Sequence, residues 1–214
     1  GAGSAGCVLA DRLTAGGRHR VLLLEAGGTD NRFWVQVPIG YGKCFFEPRV
    51  NWMYRTESEA ALAGRSGYWP RGKLLGGSGA INAMVFVRGQ PEDFDAWEAL
   101  GNPGWGWRDV LPYFRKLEDS ARGATAWRGA GGPVTIADIR AEAHPLCEAF
   151  LRAGTEAGIP RNVDFNGKTQ EGVGYYEITV RDGRRVSTAS AYLRPAMRRA
   201  NLEVRTHAHA TRIG

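Results

Sequence analysis

The sequence has 214 residues, 43% hydrophobic and 23% charged, and these ordinary fractions predict one or two globular domains. The net charge of +6 comes from scattered arginines without an accompanying aromatic platform, so we predict no nucleic-acid partner. Three dispersed cysteines exclude a disulfide framework, and no metal site is predicted. The sequence contains no run of 18 apolar residues, so it predicts no transmembrane helix. We expect a cytoplasmic protein and leave peripheral membrane association open.

The chain opens with a glycine fingerprint. Gly1, Gly3 and Gly6 have the spacing G-x-G-x-x-G, which permits a tight turn, close approach of a pyrophosphate and close packing of the next helix. That helix is predicted to begin near Ser4, where free N–H groups favour an anion, and to end at Gly16-Gly17. A fingerprint of this kind normally follows a strand. We therefore expect another strand just before Gly1 and interpret the chain as a fragment.

A short apolar run, Val21 to Leu24, is predicted as the next strand, parallel and buried on both faces. Glu25 stands at its carboxyl end, where a carboxylate can accept hydrogen bonds from ribose hydroxyls. Because loop, helix, strand and acid come in this order, the pattern predicts a dinucleotide site. A plain turn between strand and helix is the alternative.

The middle of the chain contains two predicted helices. A short strand is expected within residues 51–57, and the helices are expected at Pro91 to Leu100 and Arg108 to Leu117. The glycine-rich residues 128–133 are predicted as a linker and a domain boundary. Aromatic side chains such as Trp52 suit either a core or a pocket.

The last third of the chain mixes strands with helices. We predict strands at 134–138, at 172–185 with a turn at Asp182-Gly183, and at 201–213. A helix is expected from His144 to Ala157. A shorter one is expected from Ser187 to Tyr192, ending before Pro195.

Residues 71–95, RGKLLGGSGAINAMVFVRGQPEDFD, are rich in glycine. The glycines keep the backbone free of bulk, so a flat ligand could lie against it. The amide of Asn82 offers both donors and an acceptor to the edge of a ring. From the residues themselves, a ligand-binding segment and a glycine-rich loop without a ligand are both possible.

This segment resembles the first signature of the glucose–methanol–choline (GMC) flavin oxidoreductases. The matching positions are Gly72-Lys73, Leu75-Gly76-Gly77-Ser78-Gly79, Ile81-Asn82, Phe86, Gly89 and Asp95. The resemblance continues through DFNG at 164–167, EGVGYY at 171–176 and AYLRPAMRRANLEV at 191–204, and so spans nearly the whole chain. It is nearest to bacterial choline and other alcohol dehydrogenases.

The resemblance implies FAD as the cofactor and assigns candidate positions to it. Four residues at the amino end would follow the pyrophosphate, namely Gly1, Gly3, Ser4 and Gly6, and Glu25 would hold the adenosine ribose. The remaining candidates are Leu74, Asn82, Ala83, Met84 and Val85 at the flavin half, Gly77 and Ser78 in the glycine-rich segment, and Ala210 on the final strand at the adenine side. Ile81 stands where some members tether the flavin through histidine, so a non-covalent FAD is implied.

The resemblance also implies an α/β fold in an incomplete chain. We expect a Rossmann-like FAD-binding domain over residues 1–130 and the start of an α+β substrate-binding domain over 131–196. A strand over 197–214 would return to the first domain.

The implied activity is oxidation of the CH–OH group of a small-molecule alcohol, by hydride transfer to flavin N5. The base that the family uses lies near its carboxyl end, and none of the four histidines here fits that role. No residue of this chain is therefore predicted to be catalytic. The electron acceptor is not predicted. A dehydrogenase is the leading interpretation, and an oxygen-using oxidase or a non-catalytic flavin-binding module are the alternatives.

Overall fold

The computed structural model describes residues 1–212, which form two compact units. The first unit combines residues 1–84 with residues from 182 onward, and the second unit is Val85–Arg181. The predicted boundaries after residues 130 and 196 do not coincide with these limits. Residues on both sides of position 130 belong to the second unit because strands 118–120 and 134–136 pair with each other.

Seven helices and eight strands are described in residues 1–212, many of them only two to four residues long. In chain order they are α1 (Ser4–Ala15), β1 (Val21–Leu24), α2 (Phe33–Gln36), α3 (Tyr41–Cys44), β2 (Tyr54–Arg55), β3 (Tyr68–Trp69), α4 (Pro91–Ala99), α5 (Trp107–Leu117), β4 (Glu118–Ser120), β5 (Val134–Ile136), α6 (Pro145–Glu156), β6 (Val180–Arg181), β7 (Arg184–Arg185), α7 (Arg194–Ala196) and β8 (Leu202–Arg205). No helix in the described part of the chain has the length and apolar character needed to cross a membrane.

Helix α1 begins at Ser4 as predicted and ends at Ala15, with Gly16 as its C-cap residue and Gly17 in the left-handed region (φ +70°). Its inner face is partly polar, because Asp11 and Thr14 are buried and both accept hydrogen bonds from Arg199, at 2.8 Å each. The guanidinium supplies the partners that these buried groups require.

Strands β1 and β8 form a parallel pair in which Leu23 lies opposite Val204. Leu23 is buried with small side chains of α1 and with Leu193, and this cluster is the core beneath the pair. The prediction that β1 is buried on both faces is wrong, since Leu22 is half exposed. Leu22 is one of the residues that line the cleft described below.

The segment before β8 departs from the predicted short helix. Residues Ala189–Leu193 form a π-helix that runs directly into α7. The expected break before Pro195 is wrong, because this proline lies in the first turn of α7, where its missing N–H costs nothing. The predicted final strand is shorter than expected, since β8 ends at Arg205. Positions 213 and 214 of the predicted return strand lie outside the described residues.

The second unit confirms its three predicted helices to within about one residue at each end. Helix α4 has a capping box, in which the Asp93 carboxylate accepts a hydrogen bond from the Gln90 N–H at 2.8 Å. Helix α6 is capped by His144, whose Nδ1 accepts from the Leu146 N–H at 3.2 Å. These local signals explain why the helix ends could be predicted.

Residues 128–133 are not the open linker that their composition predicts. Arg128 is fully buried and forms ion pairs with Glu118, at 3.4 Å, and with Glu177. Glu118 also pairs with the buried Arg88 and accepts a hydrogen bond from the Gly129 N–H at 2.8 Å. This buried charge network ties the supposed linker into the core of the second unit.

The strand predicted over 172–185 is also much shorter in the structure. Within this range only Val180–Arg181 and Arg184–Arg185 form strands, and the two residues between them confirm the predicted turn. Asp182 and Gly183 both have positive φ, at +51° and +68°. In the predicted 51–57 region, only Tyr54–Arg55 forms a strand, paired with Tyr68–Trp69.

Candidate functional site

A cleft of about 720 Å³ opens in the first unit, between the start of α1 and the carboxyl end of β1. It brings together residues that are far apart in the sequence: the fingerprint, the acid after β1, the glycine-rich segment and the residues that follow β8. The lining residues are Gly1, Gly3, Ser4, Leu22, Leu23, Leu24, Glu25, Ala26, Trp52, Tyr54, Arg71, Gly72, Gly77, Ser78, Ala208, His209 and Ala210.

The start of α1 presents its backbone to this cleft. Gly3 is the N-cap residue, and neither a side-chain cap nor an acidic residue in the first turn satisfies the free N–H groups. A Cβ placed on Gly3 would meet no atom within 4 Å, so the backbone is open at this point. An uncapped helix start with an open approach suits an anion such as a pyrophosphate.

Gly6 has the opposite surroundings. A Cβ placed there would lie 1.9 Å from the carbonyl oxygen of Gly1, so only glycine lets the fingerprint loop pack on the helix. A Cβ on Gly77 would similarly lie 2.7 Å from the Gly3 Cα, and Gly77 has a positive φ of +55°. The two glycine-containing segments therefore touch backbone to backbone beside the cleft.

Glu25 is buried (7% exposed), and its carboxylate is held by the backbone. One oxygen accepts from the Ala2 N–H at 2.8 Å, and the other accepts from the Gly27 N–H at 2.9 Å. Each carboxylate oxygen has a second lone pair, so the group can still accept hydrogen bonds from a ligand's hydroxyls. The position at the end of β1 is the one predicted for binding a ribose.

An aromatic and basic wall completes the cleft, and the sequence pattern did not assign it. Trp52 stacks on Tyr54 with ring centroids 5.7 Å apart and contacts His209 at 5.2 Å. Lys73 Nζ lies 4.5 Å from the centre of the Trp52 ring, although Lys73 is not itself one of the residues that line the cleft. The alternation of aromatic residues at 52 and 54 was a usable signal, whereas the approach of His209 depends on the chain after β8.

Several predicted site residues do not line the cleft. Leu74 is fully buried in a second apolar cluster, and Gly6 lies behind the loop. Asn82 also lies outside the cleft lining. It is four residues beyond Ser78, and its backbone N–H donates to the Ser78 carbonyl at 3.0 Å. The other predicted site residues that do not line the cleft are Ala83, Met84 and Val85. Ala83 is exposed, Met84 is buried with a positive φ of +63°, and Val85 is half exposed.

Ala210 lines the cleft, but the prediction that it lies on the final strand is wrong. Strand β8 ends at Arg205, and Ala208 is turned back by a hydrogen bond from its N–H to the Glu25 carbonyl, at 2.9 Å. His207 and His209 do not form a metal site with neighbouring groups. Within residues 1–212, no three His, Cys, Asp or Glu side chains are grouped to hold a metal ion.

The chemistry of the cleft fits a dinucleotide cofactor. The uncapped helix start can hold the pyrophosphate, the fixed carboxylate can hold a ribose, and the aromatic wall offers a face to a planar ring. These three features lie on one continuous surface of the first unit.

Comparisons with known proteins agree with this description. The family model described as GMC oxidoreductase matches residues 1–214. The oxygen-dependent choline dehydrogenase of Photobacterium profundum is 48% identical over 206 residues, covering 96% of this chain and 36% of the relative. An alcohol dehydrogenase [acceptor] of Pseudomonas putida is 45% identical over 214 residues, covering 100% of this chain and 39% of the relative.

Among solved structures, pyridoxine 4-oxidase from Mesorbium loti superposes with a TM-score of 0.92 at 40% identity, covering 97% of this chain and 41% of that one. The match confirms the predicted Rossmann-type α/β fold. The chain thus spans about two fifths of the length of the relatives that it matches. Because the family model covers the whole sequence, the chain belongs to the GMC oxidoreductase family.

Proposed function

We propose that this chain is the FAD-binding part of an oxidoreductase that acts on the CH–OH group of a small-molecule alcohol. The observation that carries the proposal is the cleft, where an open, uncapped helix start faces a buried carboxylate fixed by two backbone N–H groups. The family is flavin-dependent, so the dinucleotide is FAD. When bound, FAD supplies the acceptor for the two electrons released by alcohol oxidation.

The residues of this chain bind and orient the cofactor in this proposal. The N–H groups around Ser4 hold the pyrophosphate, with Gly3 leaving space for it, and Glu25 holds the ribose. Gly77 and Ser78 border the cofactor, while Leu74, Ala210 and the run Asn82–Val85 take the positions that the family resemblance assigns to them. We assign no catalytic base to this chain.

Choline is the first substrate to test, because relatives of 48% and 45% identity are named choline dehydrogenase and alcohol dehydrogenase. We propose a dehydrogenase ahead of an oxidase for the same reason. The complete protein is expected to turn over choline, or another primary alcohol, with a dye as electron acceptor.

Glu25→Ala in the complete protein is the sharpest test of the cofactor site. The ribose loses a charged hydrogen-bond acceptor, and such bonds contribute about 1.5–3 kcal/mol, so FAD affinity should fall roughly tenfold to a hundredfold. Fluorescence titration of the apoprotein with FAD measures this change.

The matched control is Glu203→Ala, which removes an exposed carboxylate from strand β8 and should leave FAD affinity unchanged. If Glu25→Ala binds FAD as tightly as the wild type, Glu25 does not belong to the site. A complete protein that binds no flavin at all would overturn the proposed function itself.

A further inference from the structure

Arg185 is a buried cation on strand β7, within the first unit, and it contacts the segment assigned to the flavin half. The residue is only 4% exposed. Its Nε donates to the Val35 carbonyl at 3.0 Å, and its Nη1 donates to Asn82 Oδ1 at 2.8 Å and more weakly to the Gly79 carbonyl at 3.5 Å. All three acceptors are neutral.

The charge of Arg185 has no counter-ion in the described part of the chain. None of the ion pairs within residues 1–212 includes it, and its Nη2 is buried without a hydrogen-bond partner. Burial lowers the pKa of the guanidinium to about 10, which still leaves it charged at neutral pH. The buried thiol of Cys44 acts in the opposite direction and raises the pKa of Arg185, but its own pKa is raised by burial, so it supplies no negative charge at neutral pH.

A buried charge without a partner is costly, and the second unit shows the usual solution. There the buried guanidinium groups of Arg88 and Arg128 both face the carboxylate of Glu118. Arg185 lacks such a carboxylate. A fold that retains this cost points to a negative group that arrives from outside the described residues.

Arg185 also fixes the orientation of the Asn82 amide. A guanidinium can only donate, so the atom facing Nη1 must be the amide oxygen of Asn82. The same oxygen accepts from the Met84 N–H at 3.0 Å, which occupies its second lone pair. Because Asn82 is exposed, its NH₂ group is left to donate to a ligand.

We propose that Arg185 is a positioning residue that aims the amide donors of Asn82 at the flavin half of FAD and places an uncompensated positive charge beside it. The proposal rests on the proposed function, since it requires FAD on the Asn82 segment. Reduction adds negative charge to a flavin, and a cation in a low-dielectric setting stabilises that charge. Arg185 therefore favours the reduced cofactor over the oxidised one.

The test uses the complete FAD-loaded protein and measures the flavin midpoint potential and the FAD dissociation constant. In Arg185→Gln, the preference for reduced over oxidised FAD should fall at least tenfold, which lowers the potential of this two-electron couple by ~30 mV. Arg185→Lys keeps the charge and should retain most of the potential. Arg185→Gln should also weaken FAD binding. In a protein that already carries Asn82→Ala, adding Arg185→Gln should cause no further loss of affinity, because the amide through which Arg185 acts is gone.

Two further variants separate this role from a structural one. Arg199→Gln removes another guanidinium of the first unit, one bound to α1, and should leave the potential unchanged. Asn82→Asp places a carboxylate against Arg185 and should lower the potential even if Arg185→Gln does not fold.

Each outcome bears on a different claim. A wild-type protein without bound flavin would overturn the proposed function. The role of Arg185 would be overturned if the wild type binds FAD but the variants keep its potential. In that outcome, Asn82→Asp, and Arg185→Gln if it folds, would change the preference for reduced over oxidised FAD by less than twofold relative to the wild type.

Discussion

Gly3 and Gly6 differ in what a methyl group would touch, and this difference separates binding from folding. The space around Gly3 is open in the chain itself, whereas the space at Gly6 is filled by the Gly1 carbonyl. The backbone of Gly3, with φ −74°, also suits any residue. We therefore expect the ligand to require Gly3 and the fold to require Gly6.

Gly3→Ala should consequently fold normally but bind FAD poorly. Its stability should stay equal or rise by about 0.4–1 kcal/mol, because alanine restricts the unfolded chain. Crowding of the pyrophosphate should cost about 1–3 kcal/mol, or roughly tenfold to a hundredfold in affinity. Gly6→Ala should lower both stability and affinity. Urea unfolding of the apoproteins and FAD titration test the pair, and normal binding by Gly3→Ala would remove the pyrophosphate from this position.

At the scale of single elements, the sequence was a good guide where short-range contacts decide the structure. The start of α1 and the ends of α4 and α6 follow from glycine, proline and capping residues within a few positions, and β1 and α5 follow from a short apolar run and an apolar stripe. The glycine fingerprint and Glu25 belong to the same class of signal. Their distance in sequence is fixed by one helix and one strand, so their meeting at the cleft could be predicted.

The failures have long-range causes. The composition of residues 128–133 predicts a linker, but Arg128 is drawn inside by Glu118 and Glu177, which no local pattern reveals. The same limitation applies to the part of the aromatic wall that His209 forms. His209 reaches Trp52 only because β8 pairs with β1 and the chain then turns back.

The charge network around β4 gives a prediction at this scale. Glu118→Gln should destabilise the second unit by about 3–5 kcal/mol, because two buried guanidinium groups lose their shared carboxylate. Glu148→Gln is the matched control, since Glu148 pairs with Arg161 at 2.6 Å on the surface. The control should unfold at nearly the wild-type urea concentration. Equal midpoints for the two variants would show that the buried network adds no stability.

At the scale of the whole molecule, we expect cofactor retention to depend on contacts from both ends of the described chain. The fingerprint and β1 come from the amino end, and the residues after β8 come from the other. The contacts that we assign to FAD are hydrogen bonds, electrostatic attraction and ring burial. All of them are reversible, so unfolding should release the cofactor.

We therefore predict that FAD in the complete protein is held without a covalent bond. The family resemblance assigns Ile81 to the position at which some members carry a tethering histidine, and its buried side chain (2% exposed) offers only carbon and hydrogen. The flanking Ala80 and Asn82 supply no good nucleophile. Cys44 lies in the same apolar cluster, but burial raises the pKa of its thiol and keeps it protonated.

Acid precipitation of the holoprotein tests this prediction. The yellow colour should pass into the supernatant, and tryptic peptides that contain Ile81 or Cys44 should have their unmodified masses. An Ile81→His variant serves as a comparison. It introduces the side chain that some family members use for tethering, and it shows whether the site geometry permits a covalent bond to the flavin. Colour that stays in the washed wild-type pellet, together with a flavin-bearing peptide, would contradict both the reversible attachment and the assignment of Ile81 to the tether position.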